Sequence, residues 1–241
     1  MRILRRTLVG LVVLAVLLVV ADRVAAWAAQ RAVAAHVASE LASYQVDSAP
    51  PEVTVGGVPF LTQVAGGRFE SVTLRLRDVG SDGVTLPMVE LEAIGVTVTA
   101  STLIDREGPI DAERVDGSAT IGYASVAALT DLESLQLSAG PDGALRVQLP
   151  AELLGQPVTL VGTGEVAVTG GAVQVAVTEL AVEEFPELPP EAESLLADVT
   201  RRLSVQVPLP PLPYGLAVES VHPEPEGLTV TFRAHDVPLA R

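Results

Sequence analysis

The chain has 241 residues and a formal net charge of −15, with 49% hydrophobic and 19% charged residues. That balance excludes a disordered chain and calls for a packed core. With aromatics at only 3%, Val, Ala and Leu must fill that core. Cysteine is absent, which removes disulfides, thiolate catalysis, Cys-ligated zinc and iron–sulfur clusters.

All 15 basic residues are arginine, and residues 1–21 hold three of them with no acid. Residues 22–241 therefore carry 12 arginines against 30 acids, a net −18. A domain this acidic is repelled by phosphate backbones, so no nucleic-acid partner is expected.

Arg2, Arg5 and Arg6 precede an apolar run over residues 7–21. A basic segment followed by an apolar one is the pattern of a secretory signal. Residues 1–21 thus read as signal peptide or signal anchor, and residues 22–241 as a single domain outside the cytoplasm. Two outcomes fit the residues that follow. Val24-Ala25-Ala26 offers a small-residue cleavage site, and the Ala-rich stretch around Trp27 equally continues one uncleaved helix.

Residues 22–45 contain neither Pro nor Gly and read as helix. Val33, Val37, Leu41 and Tyr44 recur at helical spacing on one face, and Pro50-Pro51 ends the helical region. An apolar tetrad follows, Val58-Pro59-Phe60-Leu61, between Gly56-Gly57 and Gly66-Gly67. Pro59 disfavours helix at Val58, so residues 58–61 are expected as an extended turn presenting Phe60 and Leu61 outward.

The period then changes to two. Val72, Leu74 and Leu76 alternate with Thr73, Arg75 and Arg77, so a buried apolar face opposite an exposed basic one is expected. Leu91 and Ala93 are out of phase with Ile94, Val96 and Val98, which predicts a bulge near residues 93–95. Gly170-Gly171 predicts a hairpin in which Val168 faces Val173 and Val166 faces Val175. Turns are expected at Pro141-Asp142-Gly143 and at residues 224–227, and a last strand with Leu228, Val230 and Phe232 inward. A short helix is expected over residues 125–132. A better one spans residues 190–203, with Leu195, Leu196 and Val199 on its apolar side. The class is α+β: a curved antiparallel sheet around a long N-terminal helix, with a second short helix toward the C-terminus.

Catalytic motifs are missing. Without lysine there is no P-loop and no Ser-x-x-Lys, and no nucleophile elbow occurs. Gly162-Thr163-Gly164 begins like a dinucleotide fingerprint, but the third glycine is absent and a strand follows. His222 and His235 read as surface residues at strand ends. The acids Asp105, Glu107, Asp111 and Glu113 lack calcium-loop spacing. No catalytic residue, metal or cofactor is expected.

The block Gly57-Val58-Pro59-Phe60-Leu61-Thr62-Gln63, with Gly67-x-Phe69-x-x-Val72 after it, resembles the LmeA-like phospholipid-binding family of actinobacterial cell-envelope proteins. Leu212-Pro213-Tyr214-Gly215-Leu216 and Gly227-Leu228-Thr229-Val230 complete the pattern. Val58 departs from it, standing where an aromatic residue is expected. The resemblance implies a fold similar to tubular lipid-binding proteins. It implies binding of a phospholipid or glycolipid, with the membrane as a further partner and an envelope glycosyltransferase as a partner protein. The expected role is a carrier or accessory in lipoglycan or envelope-lipid assembly; the alternative is a non-catalytic scaffold that positions an envelope enzyme. The residues expected to face lipid are Val33, Val37, Leu41, Val58, Phe60, Leu61, Val72, Leu74, Leu76, Leu195, Leu196 and Val199. Arg68, Arg75 and Arg77 are head-group candidates because cations are scarce in this acidic domain.

Overall fold

The computed structural model describes residues 2–81, 84–99, 108–128, 134–153, 156–169, 172–182, 196, 200, 205–208 and 215–240. The predicted α+β class is observed: a long N-terminal helix and two antiparallel sheets.

Helix α1 spans Arg2–Ser43 without interruption, about 63 Å at 1.5 Å per residue. It ends where Gln45 turns left-handed, with φ 58°. The Val46 amide then bonds the Leu41 carbonyl at 3.0 Å and the Gln45 amide that of Ala42 at 3.1 Å. These two bonds form a Schellman motif that satisfies the last carbonyls. Tyr44 therefore lies past the helix and is 75% exposed. The expectation that it extends the apolar face is overturned by this cap.

The chain continues through β1 (Glu52–Val55), α2 (Phe60–Gly66), β2 (Arg68–Ser81), β3 (Val84–Val98), β4 (Ile110–Gly122) and α3 (Tyr123–Ala128). It then forms β5 (Gln136–Ala139), β6 (Leu145–Leu153), β7 (Gln156–Thr169), β8 (Ala172–Val182), β9 (Val205–Pro208), β10 (Ala217–Glu224) and β11 (Gly227–Ala240). One sheet has the order β1-β2-β3-β4-β11-β10 and the other β5-β6-β7-β8-β9.

The residues group into two compact units. The first holds Met1–Leu76, Glu90–Asp116 and Ala234–Arg241; the second holds Arg77–Val89 and Gly117–Arg233.

In the second unit the β7–β8 register pairs Val168 with Val173 and Val166 with Val175, as the Gly-Gly hairpin predicts. Gly162 and Gly164 mark a register shift opposite β8. A Cβ on Gly162 would lie 2.8 Å from the Glu179 carbonyl oxygen. The Gly-Thr-Gly run is thus a mid-strand irregularity that needs room, not a phosphate loop. Leu149, Val158, Leu160, Val182 and Leu196 form one packed core, and Leu145, Val147, Val221 and Leu228 another. Leu196 and Thr200 are helical, and the Thr200 hydroxyl donates to the Leu196 carbonyl at 2.8 Å. The rest of the expected helix over 190–203, including Leu195 and Val199, lies outside the described residues.

In the first unit the strands shift phase. Phe69, Val96, Val98 and Ala112 are buried, yet Val72, Leu74, Leu91, Ala93 and Val115 line the interior further along the same strands. Gly95, at φ 65° within β3, sits at the slip that the sequence predicts, because a left-handed residue inside a strand suits glycine.

Candidate functional site

Val33 and Val37, one turn apart on α1, face strands that converge on them. β1 contributes Val53, β2 Val72 and Leu74, β3 Leu91 and Ala93. Val115 of β4 and Leu239 of β11 complete the wall. Together these nine side chains enclose a cleft of about 200 Å³ within the first unit. Every one is aliphatic. Alternation delivers them: Val53 pairs with Leu74 and Val55 with Val72 in the β1–β2 register, so the intervening polar residues point away. Val33 is 45% and Leu239 38% exposed, which marks the open side.

Such a lining can do no acid–base or nucleophilic chemistry. It holds no titratable group and no hydrogen-bonding side chain. What it offers is removal of apolar surface from water, at roughly 25 cal/mol per Å².

The arginines stand elsewhere. Arg75 is exposed and bonds Glu90 at 2.8 Å. That bond, helped by the charges of Glu90, Glu52 and Glu92, raises its guanidinium above the ordinary value. Arg68 bonds Glu113 and lines a separate shallow recess with Phe69, Glu70, Ile94, Gly95 and Glu113. Arg77 is exposed in the second unit. None of the three belongs to the lining of the cleft, and Leu76 is buried outside that lining. Leu196 packs in a core of the second unit.

The Pro-Phe-Leu-Thr-Gln block has a structural role. Residues 60–66 are helical rather than extended. Phe60 is only 7% exposed and its ring centroid lies 6.1 Å from that of Phe69. The expectation that Phe60 turns outward is therefore corrected: pairing with a second buried aromatic outweighs local turn preference. Gln63 clamps the turn, its Nε2 donating to the Gly56 carbonyl at 3.0 Å and its Oε1 accepting from the Glu70 amide at 2.8 Å. Gly57 and Gly67 both take positive φ, 80° and 63°.

Of the apolar tetrad, Val58, Pro59 and Leu61 remain outward, Val58 at 77% and Leu61 at 43% exposure, with Thr62 and Ala65 of α2 exposed after them. The Leu61 amide donates to Asp22 Oδ1 at 2.8 Å. Asp22 is buried at 5% exposure and also accepts from Arg23 Nε at 3.1 Å. No sequence pattern announces this contact. Val53, Leu91, Ala93, Val115 and Leu239 are likewise cleft residues that sequence reasoning missed as lipid-facing, since single aliphatics in a Val-rich chain carry no distinguishing signal.

Residues 8–20 of α1 are an exposed apolar surface, with Leu8 at 61%, Leu11 at 66% and Val19 at 62%. By length and composition α1 can cross a membrane.

Comparison with curated proteins and with solved structures found no match. The family model described as LmeA-like phospholipid-binding matches residues 20–233. That span covers all of the second compact unit and most of the first, and begins where the exposed apolar segment ends, and so the chain belongs to the LmeA-like phospholipid-binding family.

Proposed function

We propose that the chain is an extracytoplasmic envelope protein, anchored through residues 7–21, that binds phospholipid without covalent chemistry by sequestering part of an acyl chain in the aliphatic cleft. The observation that carries this reading is the lining itself: nine aliphatic side chains and no polar one. A cleft of about 200 Å³ is smaller than the roughly 300–1,000 Å³ of whole-ligand sites, so it suits a stretch of one chain. About five buried methylenes would contribute roughly 4 kcal/mol, a millimolar affinity on its own. Weak, reversible capture is appropriate to a tethered protein surrounded by its ligand. The same proposal takes the role to be that of carrier or accessory in lipoglycan or envelope-lipid assembly.

Native mass spectrometry of the full chain ejected directly from phosphatidylcholine nanodiscs, where lipid is held far above a millimolar Kd, tests it. Wild type is expected to retain one phospholipid more than Val37→Trp, whose side chain fills the cleft. Equal lipid on the two would reject sequestration in the cleft and leave the scaffold reading.

A further inference from the structure

The apolar run over residues 7–21 is 15 residues, about 22 Å of helix. The hydrocarbon core of a bilayer is about 30 Å thick. The shortfall of about 8 Å equals roughly five more residues of helix, which extends the span to residue 26. Asp22 and Arg23 fall within that extension, where charges are costly.

The structure deals with those charges. Asp22 is buried, bonded by the Leu61 amide and paired with Arg23, whose half-exposed side chain is long enough to carry its charge to the head-group layer. Ala26, one turn on, is also buried, at 6% exposure. Beside this stretch stand the exposed apolar side chains Val58, Pro59 and Leu61, tied to the helix through the Asp22–Leu61 bond, and the exposed Thr62 hydroxyl is satisfied by the Pro59 carbonyl at 2.8 Å. Next along α1 comes Trp27, 55% exposed, with the Arg31 guanidinium 4.5 Å from its ring centroid. Tryptophan and arginine together suit the interfacial layer, where an aromatic body meets a wet charged tip.

We infer that the α2 turn is a membrane collar: Val58, Pro59 and Leu61 enter the outer leaflet beside residues 22–26, and the hydrocarbon boundary lies at Trp27 rather than at Ala21. The occupant of this exposed apolar tip is the bilayer, because the tip is continuous with the exposed apolar surface of α1. The inference rests on α1 as an anchor and not on the cleft. It does place the cleft: Val33 lies six residues past Trp27, about 9 Å further along the helix, close to the head-group layer.

The chain has no cysteine and one tryptophan, so site-specific probes are clean. Leu14→Cys, Val58→Cys, Leu61→Cys and Tyr44→Cys variants of the full chain are labelled with an environment-sensitive fluorophore and reconstituted into phosphatidylcholine vesicles carrying doxyl lipids. Each replaced side chain is exposed, and far-UV circular dichroism checks the fold. The collar predicts blue-shifted emission at positions 58 and 61, quenched most by shallow doxyl groups, with Tyr44→Cys unquenched. It also predicts that Trp27 is quenched more by lipids brominated near the head group than by deeply brominated ones. Quenching at Leu14→Cys with water-like emission at 58 and 61 overturns the collar and leaves the anchor standing. No quenching at Leu14→Cys overturns both.

Discussion

The carboxylate of Asp22 accepts a 2.8 Å hydrogen bond from the backbone amide of Leu61, 39 residues away. Helix α2 begins behind Pro59, which supplies no side-chain cap. Asp22 thus acts as an N-cap lent by another helix, and it meets one of the free amides that every helix start leaves open.

Removing that cap has a defined effect. Asp22→Ala should lower stability by about 1–2 kcal/mol, through the orphaned Leu61 amide, while Asp22→Asn keeps an acceptor and should lose less. Thermal melts of the full chain in detergent read the difference. Equal melting temperatures for wild type and Asp22→Ala would refute the capping role.

Gly66 and Gly67 are adjacent and should respond in opposite ways. Gly66 is helical with open space where a Cβ would go, so Gly66→Ala should stabilise by about 0.5–1 kcal/mol. Gly67 is left-handed, and a Cβ there would collide with the Val98 carbonyl oxygen. Gly67→Ala should destabilise by more than about 1 kcal/mol. Denaturant midpoints of the two variants moving the same way would contradict this.

The contrast between these glycines shows what the sequence carries. Both read as flexible flanks of an apolar turn, because local preference is all that a dipeptide expresses. Which one turns left-handed is set by the close approach of β3, a tertiary fact. The direction of Phe60 was illegible for the same reason: it depends on the ring of Phe69, on β2. Features generated by local periodicity were legible, such as the Val168–Val173 pairing, the slip at Gly95 and the inward phase of Val72 and Leu74. Four of the nine lining residues, Val33, Val37, Val72 and Leu74, were legible in this way. Val115 and Leu239 were not, since they become neighbours of Val33 only when distant strands assemble.

Leu196 should behave as a core residue. It packs with Leu149, Val158, Leu160 and Val182, so Leu196→Ala should cost about 2–5 kcal/mol. Its effect on lipid retention should be no larger than its effect on the folded fraction. Lost lipid at full folding, compared by native mass spectrometry and circular dichroism, would mean that the cluster is a ligand wall.

Tyr123 gives the chain an alkaline limit. Burial raises its pKa above the ordinary value of about 10, while its hydroxyl donates to the Glu224 carbonyl at 2.7 Å. A raised folded-state pKa means a contribution fully present below the unfolded value and lost as pH rises through the folded one. Melting temperature should therefore fall more steeply above pH ~10 in wild type than in Tyr123→Phe. Parallel curves for the two would remove Tyr123 as the cause.

The most direct test of lipid in the cleft is photo-crosslinking of the reconstituted full chain with a phospholipid carrying a diazirine in its acyl chain. Residues 69–75 lie between two arginines and form one tryptic peptide containing Val72 and Leu74. That peptide should be labelled in wild type. Val37→Trp, which fills the cleft opposite those residues, should lose the label while keeping the wild-type melting temperature. Labelling confined to the peptides of residues 7–21, or unchanged labelling of 69–75 in Val37→Trp, would contradict acyl-chain binding in this cleft.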